Sequence, residues 1–430
     1  MAEIEPLRAL HYDLDRTGGL QPVIAPPYDV IDADDRAALL EQSPYNVVDV
    51  DLPQPPSGDP DKDRYAHAAD TFATWQRDGV VVRDVEPAVW VLEQDYVGPD
   101  GQPRTRRGFL ARVRVTEYGA GRVRPHERTH PGPKEDRLRL TRATRANLSP
   151  IFALYSDADG TARAALQRSV DAHPPHGAAT DADGTVNRIW RVTDPGTIAQ
   201  LKDALAHAEL LIADGHHRYE TARVYAQEVA GISAAAGYVL TCLVALEDPG
   251  LTVFPTHRLV RGLSDAQRTA LHVTLTTDFT RAPLPSEAEL PPHPSADEPV
   301  AFGYIESPEM APERVTIADA GRDAVDAALP DRSVAYRTLD TAVLEALVLK
   351  GALGFSDDQI DELDGLGYAR SDEEARALVA DGTFDAAFFT APVPVTKIQE
   401  VAAAGETMPP KSTYFYPKVP TGLLFNSLED

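Results

Sequence analysis

The sequence of 430 residues contains one cysteine, only seven lysines, and no apolar run near the ~20 residues needed to cross a bilayer. The single cysteine, Cys242, excludes an intramolecular disulfide, and its place in the apolar run 238–246 predicts a buried side chain. Residues 1–10 are acidic and contain Pro6, which is typical of neither a signal peptide nor a transit peptide. We therefore expect a cytoplasmic protein without a membrane partner.

Positive charge is also scarce, since the formal net charge is −26 at pH 7. A chain this acidic repels nucleic acid unless it concentrates a basic patch, and the sequence contains no convincing helix-turn-helix. We expect no nucleic-acid partner. The hydrophobic fraction of 43% is enough for a substantial core, and the length favours two or three domains.

The most informative stretch is LLIADGHHRYETA, residues 210–222. Four apolar residues predict a short buried strand, Asp214 and Gly215 interrupt it, and apolar residues at three- and four-residue steps predict a helix from His216 onward. The first turn of such a helix leaves backbone N–H groups unpaired at the positive end of its dipole, which favours a phosphate. Arg218 adds a planar fork of donors. The alternative is an N-cap aspartate followed by surface histidines.

The DGHHRYETA box resembles the phosphate-binding box of the ParB/sulfiredoxin superfamily, whose members share a strand–G–x–(H/R)–R–helix element. The full D-G-H-H-R form resembles that of the free-serine kinases in this superfamily. Over nearly its whole length the chain is also similar to a large bacterial and archaeal family of uncharacterised proteins. Besides the box, the matching stretches are APPYDVI (25–31), NVVDVDLP (46–53), 132–155, FPTHRLV (254–260) and MPPKSTYFYPKVPTGL (408–423).

This resemblance implies an α/β (α+β) fold with a ParB/sulfiredoxin-like nucleotide-binding core, large insertions and a C-terminal α/β region. We predict four parts: an N-terminal α/β region (1–120), the core (121–262), a C-terminal α/β domain (263–395) and an ordered tail that returns to the active site (396–430). Locally, 46–51 is predicted to form a strand and 338–353 an apolar helix. A homo-oligomer is compatible with these expectations.

Similarity to free-serine kinases implies a kinase that transfers a phosphoryl group from ATP or ADP to the hydroxyl of a small hydroxy or amino acid such as L-serine. Asp214 would bind Mg²⁺ or accept the hydroxyl proton, and His217 is a further catalytic candidate. The segment Pro125–Glu127 resembles the one that places a catalytic glutamate in these kinases, so Glu127 is the candidate general base. The predicted phosphate ligands are Gly215, His216, His217 and Arg218.

Other residues are predicted to complete the pocket. In this family the segment Thr256, His257 and Arg258 looks like a second lining of the nucleotide site. The candidates for binding the acceptor or the γ-phosphate are Lys134, Arg137, Asn147, Lys411 and Ser412. The stretch from Gly405 to Ser412 imitates a Walker A loop, but Pro410 replaces its second glycine and has no N–H to offer phosphate, so we reject a P-loop.

Two other functions remain open. A ParB-type nucleotide switch needs the phosphate cradle but neither Glu127 nor the lysines. A metal-dependent hydrolase would use His126, Glu127 and His130, or His216, His217 and His257. The run H-E-R-T-H matches a zinc-protease motif, but the Pro-Gly-Pro that follows leaves only about a turn for the helix that this motif needs. Sulfiredoxin-type redox chemistry is disfavoured, because histidine replaces the reactive cysteine of that box.

Overall fold

The structure, a computed structural model, describes residues 2–55, 63–98, 101–127, 131–292, 299–309 and 311–430, except the side chains of Pro131 and Pro133. The chain forms two compact units. The first comprises Met1–Pro125, Thr129–Thr252 and Pro417–Asp430, and the second comprises His126–Arg128 and Val253–Tyr416. The predicted tail 396–430 is therefore divided between the units, whereas the predicted regions 1–120 and 121–262 share most of the first unit.

The first unit is built on one large mixed sheet. Its described strands are β1 (Ile4–Glu5), β2 (Leu10–Tyr12), β3 (Val81–Arg83), β4 (Val89–Val97), β5 (Pro103–Arg114), β6 (Val123–Arg124), β7 (Ala146–Asn147), β8 (Ile151–Tyr155), β9 (Gly177–Thr180), β10 (Val186–Val192), β11 (Leu210–Asp214) and β12 (Tyr238–Ala245). Nine of them form the sheet, in the order β6-β11-β8-β12-β5-β4-β10-β9 with β1 also paired to β5. The pairs β11–β6 and β12–β8 are parallel, and the remaining pairs are antiparallel.

Helices accompany this sheet. They are α1 (Leu14–Thr17), α2 (Ala33–Gln42), α3 (Val48–Asp51), α4 (Arg64–Arg77), α5 (Pro131–Thr144), α6 (Thr161–Ala172), α7 (Pro195–Leu205) and α8 (His216–Glu228), with 3₁₀ turns at Tyr28–Val30 and Ala235–Gly237. On one face of the sheet, Phe109, Ala111 and Val113 of β5 enter a hydrophobic cluster with residues of α6, α7 and α8. Tyr219 and Ala222 of α8 belong to this cluster, so α8 packs against this face of the sheet.

The other face of the sheet carries the alternate residues of the same strands. Trp90 lies on this face, and the ring of His11 packs against it at 5.3 Å between centroids. Gln94, four residues after Trp90 and on the same face of β4, donates a hydrogen bond to the carbonyl oxygen of Lys418 at 2.9 Å. The N-terminal segment and the C-terminal segment Pro417–Asp430 therefore cover this face.

The second unit contains a six-stranded antiparallel sheet. Its described strands are β13 (Thr252–Phe254), β14 (His257–Val260), β15 (Phe279–Pro283), β16 (Ala301–Glu306), β17 (Glu313–Ile317), β18 (Leu366–Ala369), β19 (Ala386–Phe389) and β20 (Tyr414–Tyr416), and the sheet order is β15-β17-β16-β19-β14-β18. β13 pairs with β20, and β21 (Asn426–Ser427) pairs with β7 in the first unit. The described helices are α9 (Asp265–Thr277), α10 (Asp319–Ala328), α11 (Val334–Arg337), α12 (Asp340–Val343), α13 (Asp357–Glu362), α14 (Asp372–Ala380) and α15 (Val395–Ala403), with a 3₁₀ turn at Glu287–Glu289 and a π-helix at Leu344–Ala352.

The expected α/β fold class is confirmed, with two local corrections. The predicted strand at 46–51 is wrong, because Val48–Asp51 is helical and the Asn46 side chain accepts the backbone N–H of Val48 at 3.0 Å. The predicted apolar helix at 338–353 is a short α-helix continued by the π-helix. Cys242 is fully buried as predicted, and burial raises the pKa of its thiol to about 12. No helix in the described ranges has the length and apolarity of a membrane span.

Candidate functional site

The strand, turn and helix predicted for residues 210–222 are all present. β11 ends at Asp214, Gly215 has a φ of +92°, and α8 begins at His216. Gly215 occupies the N-cap position and supplies no side-chain hydrogen bond to the first turn. The first N–H groups of a helix have no partner within the helix itself, so this end of α8 is suited to an anion.

Asp214 lies between two cationic side chains. Its Oδ1 accepts a hydrogen bond from Lys418 Nζ at 2.5 Å, and its Oδ2 accepts one from Arg218 Nη2 at 2.6 Å. Burial by itself would raise the pKa of Asp214, but the charges of Lys418 and Arg218 outweigh it and hold the pKa well below its usual value. The carboxylate is therefore ionised, and both of its oxygens already face cations. A magnesium ion at this position would meet like charges, so the arrangement does not fit the predicted role of Asp214 as a metal ligand.

Arg218 turns back beneath Gly215. Its Nη1 donates to Ser149 Oγ at 2.6 Å and to the carbonyl oxygen of Pro150, and Ser149 Oγ also contacts Thr421 Oγ1 at 3.1 Å. A Cβ added at Gly215 would lie 2.9 Å from Arg218 Nε, so this close approach requires glycine. Arg218 Nε is buried and has no acceptor among the described residues.

The two histidines that follow Gly215 differ in exposure. His216 is buried and its charge contributes to lowering the pKa of Asp214, whereas His217 is half-buried. Both histidines lie in the first turn of α8, close in sequence to the ionised Asp214. Their predicted roles as phosphate donors, and that of His217 in catalysis, stay predictions.

Two predicted acceptor ligands of the first unit, Arg137 and Asn147, form hydrogen bonds with other protein groups. The third, Lys134, lies on α5. Arg137 Nη1 donates to the carbonyl oxygen of Asp51 at 2.7 Å, and Arg137 Nε donates to Asp136 Oδ2 at 2.8 Å. Asn147 Oδ1 accepts from the backbone N–H of Leu240 at 3.1 Å and from the side chain of Asn426. Lys134 is half-buried on α5. A cavity of about 40 Å³ is lined by Arg137, Asn147, Ser149 and Arg218, among others.

Six of the predicted site residues lie in the second unit. They are Glu127, Thr256, His257, Arg258, Lys411 and Ser412. Arg258 is buried, and its Nη1 and Nη2 donate to the carbonyl oxygens of Thr256 and Pro410 at 2.5 and 3.0 Å. The backbone N–H of Thr390 donates to His257 Nδ1, so Nε2 carries the proton and donates to Asp372 Oδ1 at 2.7 Å. These contacts give Arg258 and His257 structural partners within their own unit.

Lys411 and Ser412 lie in the loop 405–413. Ser412 Oγ donates to the carbonyl oxygen of Pro409 at 2.7 Å, and Lys411 is exposed with a φ of +54°. Glu127 is half-buried, 3.9 Å from His126 Nε2, and its charge acts on Arg258. His130 lies outside the described residues, so the H-E-R-T-H hypothesis is not placed by the structure. The described residues contain no group of three or more His, Cys, Asp or Glu side chains arranged to hold a metal.

A larger cavity of about 380 Å³ lies in the second unit and includes none of the predicted site residues. Its lining includes Val300, Ile317, Val325, Asp340 and Lys397. Burial raises the pKa of Asp340 to about 7, which the backbone N–H of Ala391 and the charge of Lys397 partly oppose. Sequence reasoning selected neither residue, because nothing in their local sequence distinguishes them from surface charges.

Sequence reasoning also missed Lys418, which contacts Asp214. It selected Lys411 from the same matching stretch, 408–423, because of the Walker-like pattern. The Y-P-K-V-P context of Lys418 was the available signal, since prolines on either side restrict the backbone around one of only seven lysines.

Comparisons with known proteins place the chain in a family. No protein of curated function matches its sequence. Among solved structures, a conserved hypothetical protein from Pyrococcus furiosus is similar at 15% identity, covering 70% of this chain and 90% of that chain, with a TM-score of 0.35. A free serine kinase in complex with AMP is similar at 14% identity, covering 70% and 89% of the two chains, with a TM-score of 0.36.

A third solved structure, SbnI with a C-terminal truncation from Staphylococcus aureus, is 11% identical over 72% of this chain and 84% of that chain, with a TM-score of 0.35. TM-scores at this level do not establish a shared function. The family model described as "Protein of unknown function (DUF1015)" matches residues 4–342, which is most of the chain. The protein therefore belongs to the DUF1015 family.

Proposed function

We propose that the first unit binds the phosphate groups of ATP or ADP at the Gly215 turn, and that the protein transfers a phosphoryl group to the hydroxyl of a small hydroxy or amino acid. One observation carries this proposal: α8 begins at a glycine that leaves its first turn without a side-chain cap, and Arg218 and Lys418 both contact Asp214 directly before that glycine. The resemblance of the D-G-H-H-R sequence to the box of free-serine kinases supports the same chemistry.

The electrostatics of the turn favour an anion. Arg218 and Lys418 converge on Asp214, so one carboxylate is shared between two cations. Backbone N–H groups at the positive end of the α8 dipole add to this field. A phosphate group placed over the first turn would accept from those N–H groups and would supply negative charge that Asp214 does not fully provide.

Phosphoryl transfer requires positioning and charge stabilisation more than covalent chemistry. The acceptor hydroxyl oxygen forms a bond to the terminal phosphorus, the bond from that phosphorus to the leaving phosphate oxygen breaks, and the hydroxyl proton passes to a general base. Glu127 is the predicted base. The roles that the geometry supports for Asp214 are to remain ionised and to hold Arg218 and Lys418 in place, and no step requires it to bind a metal.

The first experiment measures turnover directly. The purified protein is incubated with Mg²⁺ and ATP or ADP, together with a panel of hydroxy acids and L-serine, and phosphorylated products are detected by mass spectrometry. We expect at least one acceptor to be phosphorylated with matching loss of nucleotide. Intact nucleotide and unmodified acceptors across the whole panel would overturn the kinase proposal.

A matched pair of variants tests the phosphate site. We expect Arg218→Gln to abolish nucleotide binding in calorimetry, whereas Arg223→Gln, on the same helix and paired with Glu220, should retain it. Circular dichroism verifies that both variants fold. Equal nucleotide affinity in the two variants would contradict a phosphate site at this turn.

Glu127→Gln separates the kinase from a ParB-type switch. For a kinase that uses Glu127 as general base, nucleotide binding survives and turnover falls by about 10²–10⁴-fold. For a switch, the substitution leaves nucleotide binding and hydrolysis unchanged.

A further inference from the structure

The cavity of about 380 Å³ in the second unit has mainly apolar walls. Ile317 of β17 and Val325 of α10 are buried parts of its lining, whereas Val334 of α11 also lines it and is 66% exposed, so the cavity reaches solvent. Ligand pockets of proteins are typically clefts of about 300–1,000 Å³ with apolar walls and a few polar groups that orient the ligand. The size and the walls of this cavity therefore suit a small molecule with an apolar part.

Two of the cations in the described lining are already matched by carboxylates. Arg337 Nη1 donates to Asp326 Oδ1 at 2.7 Å, and Arg322 Nη1 donates to Asp319 Oδ1 at 2.7 Å. These pairs lie at the exposed side of the cavity, since Asp319, Arg322 and Asp326 are exposed. One acid and one amine remain in the described lining.

These two groups, Asp340 at the start of α12 and Lys397 on α15, have weak partners. The Asp340 carboxylate accepts the backbone N–H of Ala391, and no cation of the described residues forms an ion pair with it. Burial raises the pKa of Asp340 to about 7, although the charges of Lys397 and Arg258 act in the opposite direction. Lys397 Nζ lies 3.7 Å from the exposed Glu400, beyond hydrogen-bond distance, and exposed pairs of this kind contribute little.

The two opposite charges are near each other without being in contact. The charge of Lys397 acts on Asp340, yet the described part of the chain contains no ion pair between them. A molecule that carries an ammonium and a carboxylate on neighbouring atoms would complement both side chains at once. An α-amino acid carries these two groups on a single carbon, with its side chain free to point elsewhere.

We propose that this cavity binds an apolar α-amino acid. Its ammonium group donates to Asp340, its carboxylate accepts from Lys397, and its side chain packs against the apolar wall that includes Ile317 and Val325. An ammonium beside Asp340 favours the charged form of a carboxyl group that burial alone disfavours. Such a ligand has no hydroxyl to phosphorylate, so this is a second site, and the inference does not depend on the proposed function.

The first test uses the wild type alone. Calorimetry measures L-leucine, L-isoleucine, L-valine and L-phenylalanine, and compares each with the amine that lacks the carboxylate and the acid that lacks the ammonium group. For L-leucine these analogues are isopentylamine and isocaproate. We expect at least one amino acid to bind about 10–100-fold more tightly than both of its analogues, as for hydrogen bonds to charged groups. Absence of binding by all four amino acids, or an analogue that binds as tightly as its amino acid, would overturn the proposal.

Variants then assign each charge of the ligand to its side chain. Asp340→Asn should remove the preference for the amino acid over the acid analogue, and Lys397→Met should remove its preference over the amine analogue. The matched controls are Asp323→Asn on α10 and Lys350→Met on the π-helix, which lie outside the described lining and should bind like the wild type. Circular dichroism verifies that each variant folds.

The result of these measurements stands whether or not the protein is a kinase, because no turnover is measured. Wild-type preferences in both Asp340→Asn and Lys397→Met would place the amino acid elsewhere and overturn the proposal. If Asp340→Asn does not fold, Lys397→Met decides the question, since the side chain of Lys397 is 21% exposed and has no close carboxylate among the described residues.

Discussion

Arg137 and Arg106 are both buried in the first unit, and they differ in what faces them. Arg137 is 5% exposed, contacts Asp51 and Asp136, and stacks over the Tyr28 ring at 4.1 Å. Arg106 is 1% exposed and faces the neutral amide of Gln94. Burial acts to lower the pKa of both, but the carboxylates beside Arg137 outweigh it and raise that pKa, whereas the pKa of Arg106 falls to about 10.

The comparison teaches that burial alone does not set the pKa of a cation, because the groups that face it decide the direction of the shift. Sequence reasoning selected Arg137 because it lies in a densely charged stretch within a family-matching segment. Its ion pair with Asp51 joins α5 to α3, and its predicted role as an acceptor ligand stays a prediction. Arg218 is intermediate, since it shares Asp214 with Lys418 and keeps a buried Nε without an acceptor among the described residues.

The largest expected effect on the free energy of unfolding comes from replacing Arg137. Arg137→Met should lower the free energy of unfolding by about 3–5 kcal/mol, because Asp51 remains buried without its cation. Urea denaturation measures the change. A loss below about 1 kcal/mol would show that the ion pair does not stabilise the fold and would remove the contrast with Arg106.

Gly215→Ala extends the comparison to Arg218. We expect a loss of about 2–3 kcal/mol in the free energy of unfolding, from positive φ and from a Cβ that meets Arg218 Nε at 2.9 Å. Gly160 is a matched control, since it also precedes a helix with a φ of +71° but has no atom within 4 Å of its added Cβ. Gly160→Ala should cost only the backbone strain, about 1–2 kcal/mol. Equal losses would mean that Arg218 is free to move.

Arg106→Met should have a smaller effect on stability. Replacing a buried cation that pairs with no carboxylate in the described part of the chain relieves its desolvation cost, which offsets the lost hydrogen bonds to Gln94. We expect the free energy of unfolding to change by no more than about 1 kcal/mol, measured in urea beside Arg137→Met. A loss as large as that of Arg137→Met would show that the hydrogen bonds from Arg106 to Gln94 outweigh the desolvation cost of its charge.

The smallest effect at neutral pH is expected from the titration of Asp214. Its pKa is lower in the folded protein than in the unfolded chain, so its contribution to stability is present above the unfolded value of about 3.9 and is lost as pH falls through the folded value. Urea denaturation between pH 7 and pH 3 should show this loss beginning near pH 4. Asp214→Asn should reduce the slope of that acid limb, and an unchanged slope would contradict the lowered pKa.

The local structure of the candidate phosphate site was predictable from the sequence. The apolar run 210–213, the Asp-Gly break and the helical spacing after it are signals within a dozen residues, and local backbone preferences decide them. The strand predicted at 46–51 was wrong for a related reason. Its apolar residues are compatible with a strand or a short helix, and the Asn46 side chain, which also donates to the carbonyl oxygens of Pro22 and Ile24, favours the helix.

The sequence by itself determined the α/β class, the glycine turn at the start of α8, the burial of Cys242 and membership of the family. Only the tertiary structure decided which charges face each other: that Lys418 rather than Lys411 contacts Asp214, that Arg137 has two carboxylates, and that none of the described carboxylates pairs with Arg106. The physical reason is the separation along the chain of the residues that determine each feature. Backbone conformation depends on neighbours along the chain, whereas the partner of a buried charge comes from strands and segments far apart in sequence, such as Asp214 and Lys418.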